Sequence, residues 1–197
     1  NTTILTFGDL PVCDYTGDVP PKCIMFWGHN PLNSGPDGET RFSVREALAH
    51  DPDIIVIDPR ETELAKRAKL WLQVRPGADD ALALAMLNVI IGERLYDEPF
   101  VRQWTHGFEQ LAECVKQYTP EWAEPITWVP ADQIRAAARL FAQAKPGMME
   151  WGCAIEHTPK CIQTIRAISM LPALTGNIDV PGGWVFGMHG LGRFPSL

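Results

Sequence analysis

The chain has 197 residues, of which 46% are apolar, and its 17 basic and 24 acidic residues give a formal net charge of -7. This composition is typical of a globular protein with a sizeable core, and without a dense Lys/Arg cluster we expect no nucleic-acid partner. No apolar run reaches the roughly 20 residues that a membrane-spanning helix needs, so no membrane span is expected.

The N-terminus and the cysteines bear on the context of the chain. It starts without Met and without a signal-like segment, so we expect a piece excised from a longer protein. The five cysteines contain no C-x-x-C pair, and His29, His157 and His189 lack helical metal-ligand spacing, which predicts no metal site. An odd number of cysteines favours a reducing compartment, so we expect a cytoplasmic protein, with a periplasmic parent as the alternative.

Two short apolar runs predict neighbouring strands. Residues 1–20 show no sustained period and are expected to be an irregular lead-in. The runs at 23–28 and 54–58 are each typical of a buried strand, and a polar loop at 31–40 and a helix at 39–50 connect them. Strand, helix and strand in this order make one βαβ unit.

The rest of the chain continues this alternation, judged from apolar periods and from Gly and Pro stop signals. In order, we expect a short helix at 62–68, a strand at 70–74, a buried helix at 79–92, two short helices within 98–118 separated by Gly107, a helix from Pro130 to Pro146, a strand at 148–152, a helix at 160–174 distorted by Pro172, and a linker at 184–197. The pattern predicts a doubly wound, Rossmann-like α/β fold over residues 21–183, with a mostly parallel sheet in three α/β/α layers.

Two predicted strands end in the same dipeptide, Trp27-Gly28 and Trp151-Gly152, which indicates one shared ligand edge. Gly28 lets the backbone approach a ligand closely, and Asn30 offers both a donor and an acceptor. His157 follows the second dipeptide and can hydrogen-bond a heterocycle. The alternative for Gly28 and Asn30 is a plain strand-to-loop turn.

Acidic residues follow the other strands. Asp58 ends the second strand, where a carboxylate can accept hydrogen bonds from ribose hydroxyls, or it caps the turn before Thr62. Arg60 can bind a phosphate through its guanidinium fork or pair with an acidic neighbour such as Glu63. Asp79 can accept two bonds from N1 and N2 of guanine, or serve as a helix N-cap.

No catalytic arrangement accompanies these candidates. The chain has no Ser/His/Asp order, no P-loop and no paired carboxylates at a catalytic spacing. By its residues alone the chain is therefore expected to bind rather than to catalyse.

Several motifs, taken in order, resemble a known family. They are FWGHNP at 26–31, IDPRET at 57–62, RPGADDALALA at 75–85, LYDEPFV at 95–101, TGN at 175–177 and PGG at 181–183. This series resembles the molybdopterin oxidoreductase superfamily, the bis-molybdopterin guanine dinucleotide enzymes that include formate dehydrogenases, thiosulfate reductases, dimethyl sulfoxide reductase and acetylene hydratase. The resemblance runs through most of the chain.

The resemblance implies that residues 21–183 are the family's second dinucleotide-like domain, which holds one of two molybdopterin guanine dinucleotides. Matching motif positions imply cofactor contacts from Gly28, His29, Asn30, Pro31, Asp58, Pro59, Arg60, Gly77, Asp79, Gly152 and His157. The chain departs from the family pattern at Ala78, where a hydroxyl residue is usual, at His157, where Gln is common, and at Pro172.

The same resemblance places the 4Fe-4S cysteines and the residue that binds molybdenum or tungsten upstream of this chain. We therefore expect a cofactor-binding piece of an oxidoreductase, inactive alone, whose partners are the remaining domains of the catalytic subunit, with an electron-transfer subunit as a further expected partner. The alternative is a stand-alone nucleotide-binding or regulatory module.

Overall fold

The computed structural model describes residues 2–34 and 38–186. Within them the chain forms six strands: β1 (Val12–Cys13), β2 (Cys23–Trp27), β3 (Asp53–Ile57), β4 (Leu70–Leu72), β5 (Gly147–Trp151) and β6 (Trp184–Val185). The four strands predicted from apolar runs correspond to β2, β3, β4 and β5, with ends that differ by one or two residues.

The helices of the described residues come next. They are α1 (Thr2–Phe7), α2 (Pro31–Ser34), α3 (Gly38–Leu48), α4 (Glu63–Arg67), α5 (Asp79–Gly92), α6 (Glu98–Trp104), α7 (Phe108–Val115), α8 (Pro120–Thr127), α9 (Ala131–Gln143), α10 (Cys153–Glu156) and α11 (Cys161–Leu174). None of them is long and apolar enough to cross a membrane.

The main sheet has four strands in the order β4-β3-β2-β5, and every neighbouring pair is parallel. From β2 to β4 the chain adds each strand on the same side of the one before. The helices α5 to α9 then form the connection that places β5 on the other side of β2. This reversal creates a topological switch point between β2 and β5, where open α/β sheets bind ligands at the carboxyl ends of their strands. The predicted α/β fold with a parallel sheet is confirmed.

Alternate side chains of β2 enter different cores, which makes the fold three-layered. Met25 and Trp27 pack in a cluster with residues of α5, α9 and α11. Ile24 and Phe26 pack on the opposite face with residues of α3 and α4. All five residues of β2 are fully buried, as expected for a parallel strand covered on both faces.

Besides α8 and α10, which the sequence did not predict, three parts of the chain differ from the sequence-based expectation. The lead-in is not wholly irregular, because it contains α1 and β1, and β1 pairs antiparallel with β6. The loop expected at 31–40 contains α2 and the start of α3. The expected linker starts with β6, whose Trp184 is buried, while residues 187–197 lie outside the described part of the chain. These short elements are held by tertiary contacts that local patterns do not reveal. The division into domains stays a prediction.

The outer edge of β5 is closed by side chains. The carbonyl of Met149 accepts from the indole of Trp184 at 2.6 Å and from the thiol of Cys13 at 3.3 Å. The amide of Gly147 donates to Asn177 Oδ1 at 2.9 Å. Because an open strand edge invites pairing with another chain, these three contacts protect the sheet.

Candidate functional site

Gly28 and Gly152 meet at the switch point between β2 and β5. Their preceding residues, Trp27 and Trp151, are directly paired in the strand register. A Cβ on Gly152 would lie 2.2 Å from the carbonyl oxygen of Gly28, so only glycine permits this backbone approach. Gly28 itself has φ +56°, a conformation that favours glycine. The shared edge predicted from the repeated dipeptide is therefore present.

Two buried polar atoms next to this glycine contact have no hydrogen-bond partner within the described residues: Nε2 of His29 and Oδ1 of Asn30. Pro31 is buried and begins α2, whose last residue, Ser34, bonds back to the carbonyl of Asn30. A buried polar atom without a partner is costly, so its presence at a strand end indicates a place for a ligand group.

His29 also faces a carboxylate that the sequence reasoning missed. Its Nε2 lies 3.2 Å from Oε2 of Glu150, within ion-pairing range but without the orientation of a hydrogen bond. The same oxygen accepts from the hydroxyl of Tyr15 at 2.5 Å. Burial, together with the charges of neighbouring groups, raises the pKa of Tyr15 well above its usual value, so the phenol stays protonated.

Glu150 and Tyr15 border a cleft of about 750 Å³ beside β5, which Trp151, Trp184 and Glu156 also line. A charged residue inside the otherwise apolar strand 148–151 was the signal that could have singled out Glu150. The cleft adjoins the switch point, because Glu150 and Trp151 immediately precede Gly152.

Asp58 lies buried at the carboxyl end of β3. Its Oδ1 accepts from the backbone amide of Arg60 at 2.8 Å, which closes the turn through Pro59. The guanidinium of Arg60 is exposed and lies 3.6 Å from the same oxygen, so its acidic neighbour is Asp58 rather than Glu63. Asp58 therefore caps the turn before Thr62, as the alternative interpretation expected, while Thr62 itself is the N-cap of α4.

Asp79 is the first residue of α5 and is 7% exposed. Its Oδ1 accepts from the indole of Trp27 at 2.8 Å. Ala78, not Asp79, occupies the N-cap position of α5, so the capping alternative does not hold. Burial raises the pKa of Asp79, and the bond from Trp27 counteracts part of that rise. Gly77 precedes it with φ +83° in a turn closed by the amide of Ala78 and the carbonyl of Arg75.

A second, smaller cavity of about 220 Å³ opens beside Asp79. Its lining includes Gly77 and Asp80 from the start of α5 and Thr158, Lys160 and Thr164 from the segment around the start of α11. The ammonium of Lys160 lies 3.4 Å from Oδ2 of Asp80 and joins the two sides of the cavity.

His157 immediately precedes the segment that lines this cavity, at the C-terminal end of α10, and is exposed. The structure places most of the predicted site residues at the carboxyl end of the sheet and brings two groups of them together, whereas Asp58, Pro59 and Arg60 at the end of β3 and His157 after α10 belong to neither group. Gly28, His29, Asn30 and Gly152 meet at the switch point, and Gly77 and Asp79 line the small cavity. Within residues 2–34 and 38–186, no group of three or more His, Cys, Asp or Glu side chains could hold a metal ion.

Comparison with known proteins gives the family. Residues 20–191 match the model of the molybdopterin oxidoreductase family. The chain is 39% identical over 167 residues to formate dehydrogenase H of Escherichia coli, covering 85% of this chain and 23% of that protein. It is 38% identical over 167 residues to acetylene hydratase of Syntrophotalea acetylenica, covering 84% of this chain and 22% of that protein.

The solved structure of acetylene hydratase from Pelobacter acetylenicus superposes with a TM-score of 0.85 at 34% identity, covering 94% of this chain and 25% of that one. The chain spans about a quarter of the length of these relatives. With the family model matched over most of its length and a parallel sheet that superposes on a family structure, the chain belongs to the molybdopterin oxidoreductase family.

Proposed function

We propose that this chain is the part of a molybdenum- or tungsten-dependent oxidoreductase that holds the guanine dinucleotide end of a molybdopterin cofactor. The supporting observation is the contact between Gly28 and Gly152 at the switch point, next to the buried Oδ1 of Asn30, which has no hydrogen-bond partner within the described residues. The two glycines bring the ends of β2 and β5 into direct contact at the switch point, and the buried amide oxygen of Asn30 needs a partner that a polar ligand supplies. The residues present therefore fit the cofactor.

Each group of site residues has its own part in this proposal. The carboxylate of Asp79 accepts from the guanine base, and that of Asp58 accepts from ribose hydroxyls. Gly28, Asn30 and Gly152 bind where the ligand passes closest to the sheet. When bound, the cofactor supplies the metal and the dithiolenes for two-electron chemistry, while this chain orients it and excludes water around it.

The rest of the catalytic subunit completes the enzyme in this proposal. The metal ligand and a 4Fe-4S cluster belong to the upstream region, and an electron-transfer subunit is a further partner. The five cysteines are free, which fits the proposed cytoplasmic location. The isolated chain should have no redox turnover.

The test is the cofactor content of the enzyme that carries this chain. Asn30→Ala removes the unpartnered Oδ1, so we expect unchanged or improved stability together with reduced GMP release on acid hydrolysis and reduced metal content. Asn33→Ala, at an exposed position three residues away, is the matched control and should leave both contents unchanged. Full GMP and metal content in Asn30→Ala would contradict this role for the switch point.

A stand-alone nucleotide-binding module would behave differently. Calorimetric titration of the 197-residue chain with GDP, GTP, NAD and ATP separates the two functions, because such a module should bind one of these tightly. For a cofactor-holding domain we expect weak guanine binding at best, since only part of the binding surface is present. Micromolar binding of NAD or ATP would favour the module.

A further inference from the structure

The small cavity beside Asp79 has a carboxylate on one side and an ammonium on the other. Asp79 is almost fully buried and held by Trp27, whereas Lys160 extends from the start of α11 with a side chain that is 76% exposed. We propose that Lys160 is a specificity residue, which donates to O6 of a guanine whose N1 and N2 donate to Asp79. This inference rests on the proposed function and assigns a base-discriminating role to a residue outside its motifs.

The size of the cavity suits a single base. Its volume of about 220 Å³ lies below the ~300–1,000 Å³ that pockets for drug-sized ligands occupy. A whole dinucleotide therefore cannot enter it, but one planar ring system can. Lys160 and Asp79 both line it, so they can contact the same ring.

Lys160 is free to change partners. Its present partner is Asp80, at 3.4 Å between Nζ and Oδ2, and both side chains are partly or largely exposed. Exposed ion pairs of this kind contribute little to stability, because solvent screens them and holding a long side chain costs entropy. The ammonium of Lys160 can therefore bind a ligand oxygen inside the cavity, instead of or together with the Asp80 carboxylate, at little cost in free energy.

The chemistry of Lys160 separates guanine from adenine. An ammonium group has three donors and no acceptor. Guanine presents the acceptor O6 next to its N1 donor, whereas adenine presents the donor N6 at the same position. Lys160 therefore stabilises guanine and opposes adenine, and it treats inosine like guanosine because inosine keeps O6 and N1–H.

Nucleosides are the probes that test this role, because they lack the phosphates that any lysine attracts. The full chain is titrated with guanosine, inosine and adenosine by NMR chemical-shift perturbation up to millimolar concentrations, with thermal melting as a check on folding. In Lys160→Met we expect guanosine and inosine to bind about tenfold more weakly and adenosine no more weakly than in the original chain.

Two further variants sharpen the test. Lys66→Met is the matched control, since Lys66 is exposed on α4, on the opposite face of the sheet, and its loss should change no affinity. Lys160→Arg keeps a cationic donor and should recover at least part of the preference for guanosine over adenosine.

The outcomes separate this inference from the proposed function. If Asp79→Asn loses guanosine binding while Lys160→Met keeps the full preference, the role of Lys160 is wrong and the proposed function stands. Equal weakening of all three nucleosides in Lys160→Met would also overturn it, since that pattern indicates a general effect on the cavity. If the original chain binds adenosine as tightly as guanosine, or if Asp79→Asn keeps the preference for guanosine, the guanine-binding proposal itself fails.

Discussion

The indole of Trp27 donates to the carboxylate of Asp79 at 2.8 Å, and this buried bond joins the end of β2 to the first residue of α5. Both partners are nearly inaccessible, with Trp27 fully buried and Asp79 7% exposed. The bond fixes one carboxylate oxygen before any ligand binds. A site whose acceptor is already oriented loses less entropy on binding, so this pair prepares the cavity beside Asp79.

Asp79→Asn should make the chain relatively more stable as pH rises. Burial raises the pKa of Asp79 above the 3.8 of a free side chain, so the folded state holds its proton more tightly than the unfolded state. The stability of the original chain is therefore partly lost as pH rises from the unfolded pKa through the folded pKa. The amide side chain of the variant would keep an acceptor for Trp27 without the charge. Urea unfolding at several values between about pH 4 and pH 7 measures the difference.

Asp51→Asn is the control for this experiment. Asp51 is exposed, precedes β3 at the opposite end of the sheet, and has φ 53°, which Asn tolerates well. Its stability difference should not follow the Asp79 trend. A pH-independent difference between Asp79→Asn and the original chain would show that burial does not disfavour the ionised carboxylate.

Trp27→Phe should lower the free energy of unfolding by more than the smaller side chain alone explains. It leaves the buried carboxylate of Asp79 without its side-chain donor, at a cost of about 1–3 kcal/mol in the free energy of unfolding. The same change in an Asp79→Ala background removes no such bond and should cost less. A double-mutant cycle by urea unfolding isolates the coupling between the two residues. Additive effects, within about 0.5 kcal/mol, would mean that the bond contributes nothing.

The sequence predicted the central part of the fold because that part is regular. β2 is fully apolar, β3 is apolar after its first residue, Asp53, and one crossover separates these two short strands. α5 is apolar on nearly every face, so the apolar pattern alone identifies all three elements. α8 was missed because Pro125 lies inside it and Trp128 ends it in a left-handed conformation. Its neighbours α5 and α9 stabilise it, which no local pattern reports.

In the candidate site too, some contacts could be predicted from the sequence and others could not. Gly28 and Gly152 could be predicted to meet, because identical dipeptides end strands that share a sheet edge. Tyr15 and Glu150, by contrast, are 135 residues apart and meet only because β1 and β5 pack together. Trp27 was expected to be a core residue, but the bond from its indole N–H to Asp79 could not be predicted, because it depends on where α5 begins.

Asn177 of the TGN motif should be essential for stability. It is fully buried, accepts from the amide of Gly147 at 2.9 Å and donates to the hydroxyl of Thr175 at 2.9 Å. Asn177→Ala leaves a buried backbone N–H without a partner, so we expect a loss of about 1–3 kcal/mol in the free energy of unfolding.

Thermal and urea unfolding measure this loss, with exposed Asn33→Ala as the control expected within about 0.5 kcal/mol of the original chain. An unchanged stability in Asn177→Ala would indicate that water or another group replaces the side chain at the start of β5.

Gly152→Ala should destabilise the fold because it disrupts the close backbone contact between Gly28 and Gly152. The new Cβ would lie 2.2 Å from the carbonyl oxygen of Gly28, which belongs to backbone and cannot turn away. β2 and β5 must therefore shift apart at their carboxyl ends, with a loss of about 1–3 kcal/mol or more in the free energy of unfolding.

Gly92→Ala is the matched control, because nothing lies within 4 Å of its Cβ position at the end of α5. There alanine should be neutral or stabilising by up to about 1 kcal/mol, since it favours helix more than glycine does. Urea unfolding of both variants decides the matter, and equal stabilities would mean that the two strand ends are not in close contact in solution.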